Sequence, residues 1–208
     1  MGAYAAGSLL LLIALITAGL GLLRSGGSAG TASKPATWLA LLAGLAVTAN
    51  NGFVMNQGRG APGIHDITTD TDNPPAFVAV VPLRQADGQN PPEYSGPETA
   101  AAQKLAFPNL QPLYIAQPAD VVFAAAMDVV AAKGWTLVDA NEAEGRIEAT
   151  AETGLVRFKD DVVIRIQPGS GETRVDVRSK SRVGRGDMGV NARRVRDFLA
   201  SLQSRLSP

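Results

Sequence analysis

From Phe158 to Leu206 the chain alternates between apolar and polar positions with two different periods. Over FKDDVVIRIQ, Phe158, Val162, Ile164 and Ile166 fall on one side, and Arg157, Lys159, Asp161 and Arg165 on the other. That is the period-two pattern of a strand with one dry face and one wet face. Pro168-Gly169-Ser170-Gly171 carries turn chemistry, so RVDVRSKS is predicted to fold back antiparallel. On this second strand Val175 and Val177 face one way, and Arg174, Asp176 and Arg178 the other. The period then lengthens to that of a helix, predicted over Val190–Leu206. Val195, Phe198, Leu199, Leu202 and Leu206 form its apolar stripe, with Arg193, Arg194 and Arg196 mostly off it. A hairpin and a helix that each carry one apolar face must cover one another or a third element.

Upstream, the same reading predicts strands over Ala76–Val81, Trp135–Asp139 and Arg146–Glu152, with a short strand at Leu113–Ile115. Helices are predicted over Pro97–Phe107 and Gln117–Lys133, the second started by Pro118 and stopped by Gly134. Phe123, Ala126, Met127 and Val130 make the apolar stripe of the second helix. The expected fold class is α+β: an antiparallel sheet of about four strands flanked by two helices.

The start of the chain follows a different pattern. Met1–Leu23 carries no charged side chain, and about 20 apolar residues suffice to cross a bilayer core. A cleaved signal peptide is the competing reading, but MGAYAAG lacks the basic start such peptides carry. A second charge-free stretch lies between Lys34 and Arg59. Its alternatives are a second crossing or a re-entrant or interfacial helix. Two crossings would make a transmembrane helical hairpin. Its short loop, Arg24–Lys34, holds the only two charges of the first 58 residues and would lie in the cytoplasm. The domain organisation expected is thus a membrane anchor over residues 1–58, a Pro/Gly-rich lead over 59–97 and a soluble domain over 98–208. The domain would stand on the periplasmic side of a bacterial inner membrane.

Charge and composition narrow the chemistry. Nineteen basic and nineteen acidic side chains cancel, which removes any global case for a nucleic-acid partner. Cysteine is absent, so disulfides and thiolate chemistry are excluded. His65, Asp66, Asp70 and Asp72 cluster in one short stretch. The D-x-D spacing either caps a turn through bonds to nearby amides or brings two carboxylates onto a hard cation such as calcium. A hydrolytic or metal-dependent enzyme using these four residues is the alternative to a binding role. Asp160, in phase with Val162, would enter the core and would need a basic partner or a bulge. Arg174, Arg178, Lys180, Arg182, Arg185, Arg193 and Arg194 form a candidate basic face. It would meet lipid headgroups or an acidic partner, or else pair with the acidic stretch Asp66–Asp161, which holds 15 acids against 6 bases. No Gly-rich phosphate loop, nucleophile elbow or HExxH motif is present.

HDITTDTDNPPAF, FKDDVVIRI and TRVDVRSKSRVGRGDMGVNARRVRDFL resemble the domain-of-unknown-function 1499 family, over roughly Ile64–Leu202. The resemblance implies that HDITTDTDNPP belongs to the folded domain, and it assigns no catalytic residue. The helix–strands–helix order is also similar to helix-grip domains, including those of an outer-membrane assembly lipoprotein. These readings together predict a membrane-anchored, non-enzymatic envelope domain. It would bind a lipid or apolar ligand, or dock on a membrane protein complex, and would need no cofactor.

Overall fold

Two strands, β5 (Lys159–Pro168) and β6 (Thr173–Ser181), build the centre of the sheet as the alternation predicts, joined at a turn where Gly169 N–H donates to Glu172 C=O. The computed structural model describes residues 38, 42, 44–49, 62–84, 88–153 and 157–207. The chain divides into two units, Met1–Arg59 and Gly60–Pro208. In the first, residues 44–49 are helical. The predicted crossing at Met1–Leu23 and the loop Arg24–Lys34 lie outside the described residues. Among those described, no helix is long and apolar enough to cross a membrane.

The second unit carries six strands rather than about four. In chain order they are β1 (Asp66–Thr68), β2 (Leu113–Ile115), β3 (Thr136–Asn141), β4 (Arg146–Glu152), β5 and β6. Every pairing is antiparallel, and the order across the sheet is β1-β6-β5-β4-β3. β2 shares the free edge of β6 with β1, pairing with Thr173–Val175 while β1 pairs with Arg178–Lys180. The turn into β4 needs Gly145 twice over. Its φ is +62°, and a Cβ there would sit 2.0 Å from the Ile166 carbonyl oxygen. On the opposite edge, β3 breaks register between Leu137 and Asp139.

Three helices accompany the sheet: α1 (Pro97–Ala106), α2 (Ala119–Ala132) and α3 (Val190–Leu206). α2 and α3 pack together over one face, and the core sits between them and the sheet. Val122, Phe123, Ala126 and Val130 of α2 and Val195, Phe198 and Leu202 of α3 are buried there. They meet Ile147 and Ala149 of β4, Val162, Ile164 and Ile166 of β5, and Val175 and Val177 of β6. Trp135 stacks on Phe198 with ring centres 5.7 Å apart. Asp160 does enter this side, and Arg194 of α3 meets it at 2.6 Å; β5 stays in register throughout, so the ion pair rather than a bulge accommodates it.

Three expectations fail. Ala76–Val81 is not a strand: it is irregular chain that turns into a 3₁₀ segment at Val81–Arg84. Phe158 precedes β5 and is 45% exposed instead of joining the core. The polar face of the sheet is not wet. Glu148, Asp161 and Asp176 are fully buried on it, and Arg178 and Lys180 are 1% exposed. The stretches Thr69–Arg84 and Gly88–Ser95, which include most of the lead, fold back as a lid over that face. Phe77 and Val80 of this lid pack on Val163.

Candidate functional site

The lid and the polar face of the sheet together bury more ionisable groups than any other described part of the domain. Strand alternation puts Glu148 and Thr150 of β4, Asp161, Val163 and Arg165 of β5, and Asp176, Arg178 and Lys180 of β6, with Arg182 just past its end, on one side. Register then sets opposite charges across from each other. Asp161 faces Lys180, Arg165 faces Asp176, and Asp66 of β1 faces Lys180 from the other edge.

Three carboxylates organise the result. Asp66 accepts from Arg178 Nε at 2.8 Å and Nη2 at 3.0 Å, from the Ser95 amide and hydroxyl, and meets Lys180 Nζ at 3.1 Å. Asp161 accepts from Arg84 at 2.9 Å, from Arg182 at 2.9 and 2.8 Å, and from Thr150 Oγ1 at 2.8 Å. Asp176 takes Arg165 at 2.8 Å and the Thr69 hydroxyl at 3.1 Å. Such pairs offset the cost of removing charges from water only when the remaining donors and acceptors are also met. For the cations on Asp66 they are: Arg178 donates further to the carbonyls of Pro75 and Pro92, and Lys180 to that of Glu93. The Arg178 guanidinium also lies 4.7 Å from the ring centre of Phe77 and 5.5 Å from that of Tyr94. A fourth carboxylate, Glu148, holds the irregular lid in place of a strand partner. Its two oxygens accept from the amides of Val78, Ala79 and Val80 at 2.9, 3.1 and 2.9 Å. These backbone donors are satisfied without a sheet ladder, which is why an apolar run flanked by prolines is not a strand.

The two most distinctive stretches of the sequence are therefore the two halves of one network. HDITTDTDNPPAF supplies Asp66, Thr69, Asp70, the Pro75 carbonyl and Phe77; RVDVRSKSR supplies Arg174, Asp176, Arg178 and Lys180, which meet them together with Arg165 of β5. Of the four residues considered for metal, none converges with another. Asp66 is committed to Arg178 and Lys180. Asp70 accepts the amides of Asp72 and Asn73 through one oxygen, capping a turn, and takes Arg165 and Arg174 on the other. Asp72 meets Lys104 on the surface, and His65 Nδ1 lies 3.3 Å from the Arg185 carbonyl oxygen. Among the described residues no three His, Asp or Glu side chains are placed to hold a metal ion. Of the seven cations considered as a basic face, Arg178, Lys180 and Arg182 are buried and Arg174 and Arg194 are ion-paired within the domain. Arg185 and Arg193 make no ion pair among the described residues.

Charge stabilisation shows in the proton affinities. Burial pushes the Asp66 carboxyl up, but the hydrogen bonds and charge of Arg178 and Lys180 outweigh it and hold the group below its ordinary 3.8. At Asp70 burial again acts upward, and the Asn73 and Asp72 amides with Arg174 bring the carboxyl below 3.8. Burial lowers Lys180 despite Asp66, and burial with the nearby Asp66 charge pushes the Tyr94 phenol up to about 12. Asp187, which caps α3 by accepting from the Gly189 and Asn191 amides, is raised by burial. For the two lowered carboxyls, the folded form releases its protons more readily than the unfolded chain. Their contribution is present above 3.8 and is lost as the pH falls through the folded value. Asp187 acts with the opposite sign, favouring the fold at low pH, but is one group against two. Thermal midpoints measured from pH 7 to pH 2 are expected to hold steady until about pH 4 and then drop steeply. A flat profile to pH 2 would contradict the role given to Asp66 and Asp70.

The space between helices and sheet is filled. A depression of about 390 Å³ lies open on the surface between the start of α3 and the ends of α2 and β4, lined by Lys133, Trp135, Glu152, Arg193 and Asp197 among others. A second, of about 380 Å³, lies at the β5–β6 turn beside Tyr114 and Arg174. Both are open and of mixed polarity.

The fold and network define a class: an α+β domain with a six-stranded antiparallel sheet, helices over its apolar face and an ion-paired lid over its polar face. The chain belongs to the family described as Protein of unknown function (DUF1499), whose model matches residues 66–202, a span running from Asp66 of the network to Leu202 of the core. No curated protein matches the chain. Among solved structures it is similar to TTHA0849 from Thermus thermophilus, at 13% identity and a TM-score of 0.26, over 46% of this chain and 90% of that one.

Proposed function

We propose that the chain is a membrane-anchored, non-enzymatic envelope domain that docks as an accessory subunit on a membrane protein complex. The observation that carries this reading is the fate of the ionisable groups. The buried carboxylates that would serve a reaction, Asp66, Asp161, Asp176 and Glu148, each spend their oxygens on internal donors. What remains for the outside is surface for contact. The docking form is preferred to the lipid- or apolar-ligand form because Phe198, Leu202 and Val122 occupy the space such a ligand would take. The anchor is read from the two charge-free stretches as a transmembrane helical hairpin. Trp38, Leu42, Leu45 and Val47, all exposed, support it: apolar side chains left uncovered suit a lipid environment. Arg24 and Lys34 favour a cytoplasmic loop and a domain on the periplasmic side of the inner membrane. A helix-grip relation of α2 and α3 to the sheet belongs to the same proposal.

Alkaline carbonate extraction tests the anchor: the chain should stay with the membrane pellet, and release into the supernatant would remove this reading. Native electrophoresis in mild detergent tests docking. Migration as part of a larger assembly is expected, and migration as the bare chain would contradict it.

A further inference from the structure

The ends of the sheet differ in charge, and the chain enters the domain at only one of them. β1 begins at that end, and so do the turns that follow β4 and β6: Glu152 pairs with Lys159, and Asp160 with Ser181. The first described residues of the domain pack there too, with Gly63 backbone 3.1 Å from the position of a Cβ on Gly186 and the Ile64 carbonyl accepting from the Asp187 amide at 3.3 Å. Lys133, Arg157, Lys159, Arg185 and Arg193 lie at this end, against Glu152, Asp187, Asp197 and Glu93, whose carbonyl takes Lys180. Glu152 is shared by Arg157 at 2.8 Å and Lys159 at 4.0 Å, so one carboxylate is set against two cations. The network beneath adds to the excess. Asp161 carries both Arg84 and Arg182, and Asp66 carries both Arg178 and Lys180. The opposite end is acidic: Arg146 alone meets Asp139, Glu144 and Glu148, with Glu142 beside them and Glu172 on the β5–β6 turn.

Apolar side chains sit among the cations. Phe158, Val183 and Leu83 are 45%, 41% and 49% exposed. They are gathered around Arg182, whose amide donates to the Lys159 carbonyl and whose side chain donates to that of Leu83. A rim of cations around exposed aromatic and aliphatic groups is the composition that seats a protein on an anionic bilayer.

We infer that this end of the domain, with Arg157, Lys159, Arg185 and Arg193 around Phe158, Val183 and Leu83, rests on an anionic lipid surface. The inference relies on the anchored reading above. Two observations favour lipid over other occupants: the charge complementarity, and the point of attachment. Between Ala49 and Pro62 lie residues 50–61, and even fully extended they reach no more than about 45 Å. Pro62, where the described domain begins, lies at the basic end, whereas the acidic end stands roughly 33 Å from it along the ten residues of β5.

The chain lacks cysteine, so Val183→Cys and Ser170→Cys each give one labelling position, at the basic and acidic ends respectively. Each labelled full-length chain is reconstituted in vesicles of phosphatidylcholine, with or without phosphatidylglycerol, carrying nitroxide headgroup quenchers. In phosphatidylglycerol vesicles the label at 183 should be quenched severalfold more than the label at 170. Raising the salt, or the combined change R157E/K159E/R185E, should bring the two together, because exposed charges are screened beyond a Debye length. Equal quenching at both positions, or quenching at 183 that ignores salt and charge reversal, overturns the inference. Energy transfer between labelled copies without lipid quenching overturns it in favour of a second copy of the chain. Should the full-length chain fail to float with vesicles at all, the anchored reading falls as well; flotation with an unquenched 183 label sinks this inference alone.

Discussion

Asp66→Ala is expected to cost the domain about 3–5 kcal/mol, enough to lower its thermal midpoint by about 10 °C or more. The carboxylate is fully buried, and it is the anionic partner of both Arg178 and Lys180, themselves 1% exposed. Deleting it leaves two cations under the lid with only carbonyl oxygens, the Ser95 hydroxyl and two aromatic rings around them, and no counter-charge at position 66. Leaving a buried charge uncompensated costs far more than a neutral hydrogen bond, because water cannot reach it. Circular dichroism melts of the full chain in mild detergent provide the measurement. Combining Asp66→Ala with Arg178→Met and Lys180→Met should restore much of the loss, since well-packed apolar replacements of a buried ionic cluster are often near neutral. A loss for the single change of only about 1 kcal/mol, the range of an exposed pair, would show the face to be hydrated instead of sealed.

Phe198→Ala is expected to have an effect of the same size, about 3–5 kcal/mol, for an unrelated reason. Phe198 is fully buried at the centre of the helix–sheet core and stacks on Trp135. Its removal forfeits both the transfer free energy of the ring and the contacts of the cavity left behind. This change also separates a filled core from an open ligand groove. In a filled core the new cavity should bind benzene and recover part of the stability, as a dry apolar void does. A small loss with no benzene response would mean that the groove was never closed.

Much of this architecture could be read from periodicity. α3 begins and ends at the residues predicted, and the β5–β6 hairpin turns where Pro168 and the glycines indicate. Both depend on local backbone preference and on one apolar stripe, which a single segment displays by itself. The buried polar face was illegible because period-two alternation is the same whether polar side chains meet water or meet a lid. Arg174, Asp176 and Arg178 would alternate with Val175 and Val177 in either case. The cluster at His65, Asp66, Asp70 and Asp72 was visible, but its partners lie about a hundred residues away, and spacing within a motif carries no sign of that. One signal did point there: the acidic excess before Asp161 against the basic excess after it, with the two halves of the network on opposite sides of that division. Ala76–Val81 misled because an apolar run bounded by prolines reads as a strand, when the Glu148 carboxylate takes its backbone donors.

The step in register between Leu137 and Asp139 has a consequence for how any neighbour can be recruited. β3 is the outermost strand of its side of the sheet, and an unbroken outer strand invites another polypeptide to extend the ladder. The extra residue twists that border and spoils the regular row of amides and carbonyls. Self-assembly by strand addition is thereby discouraged, and a companion protein must recognise shape and side chains instead of continuing the β-structure.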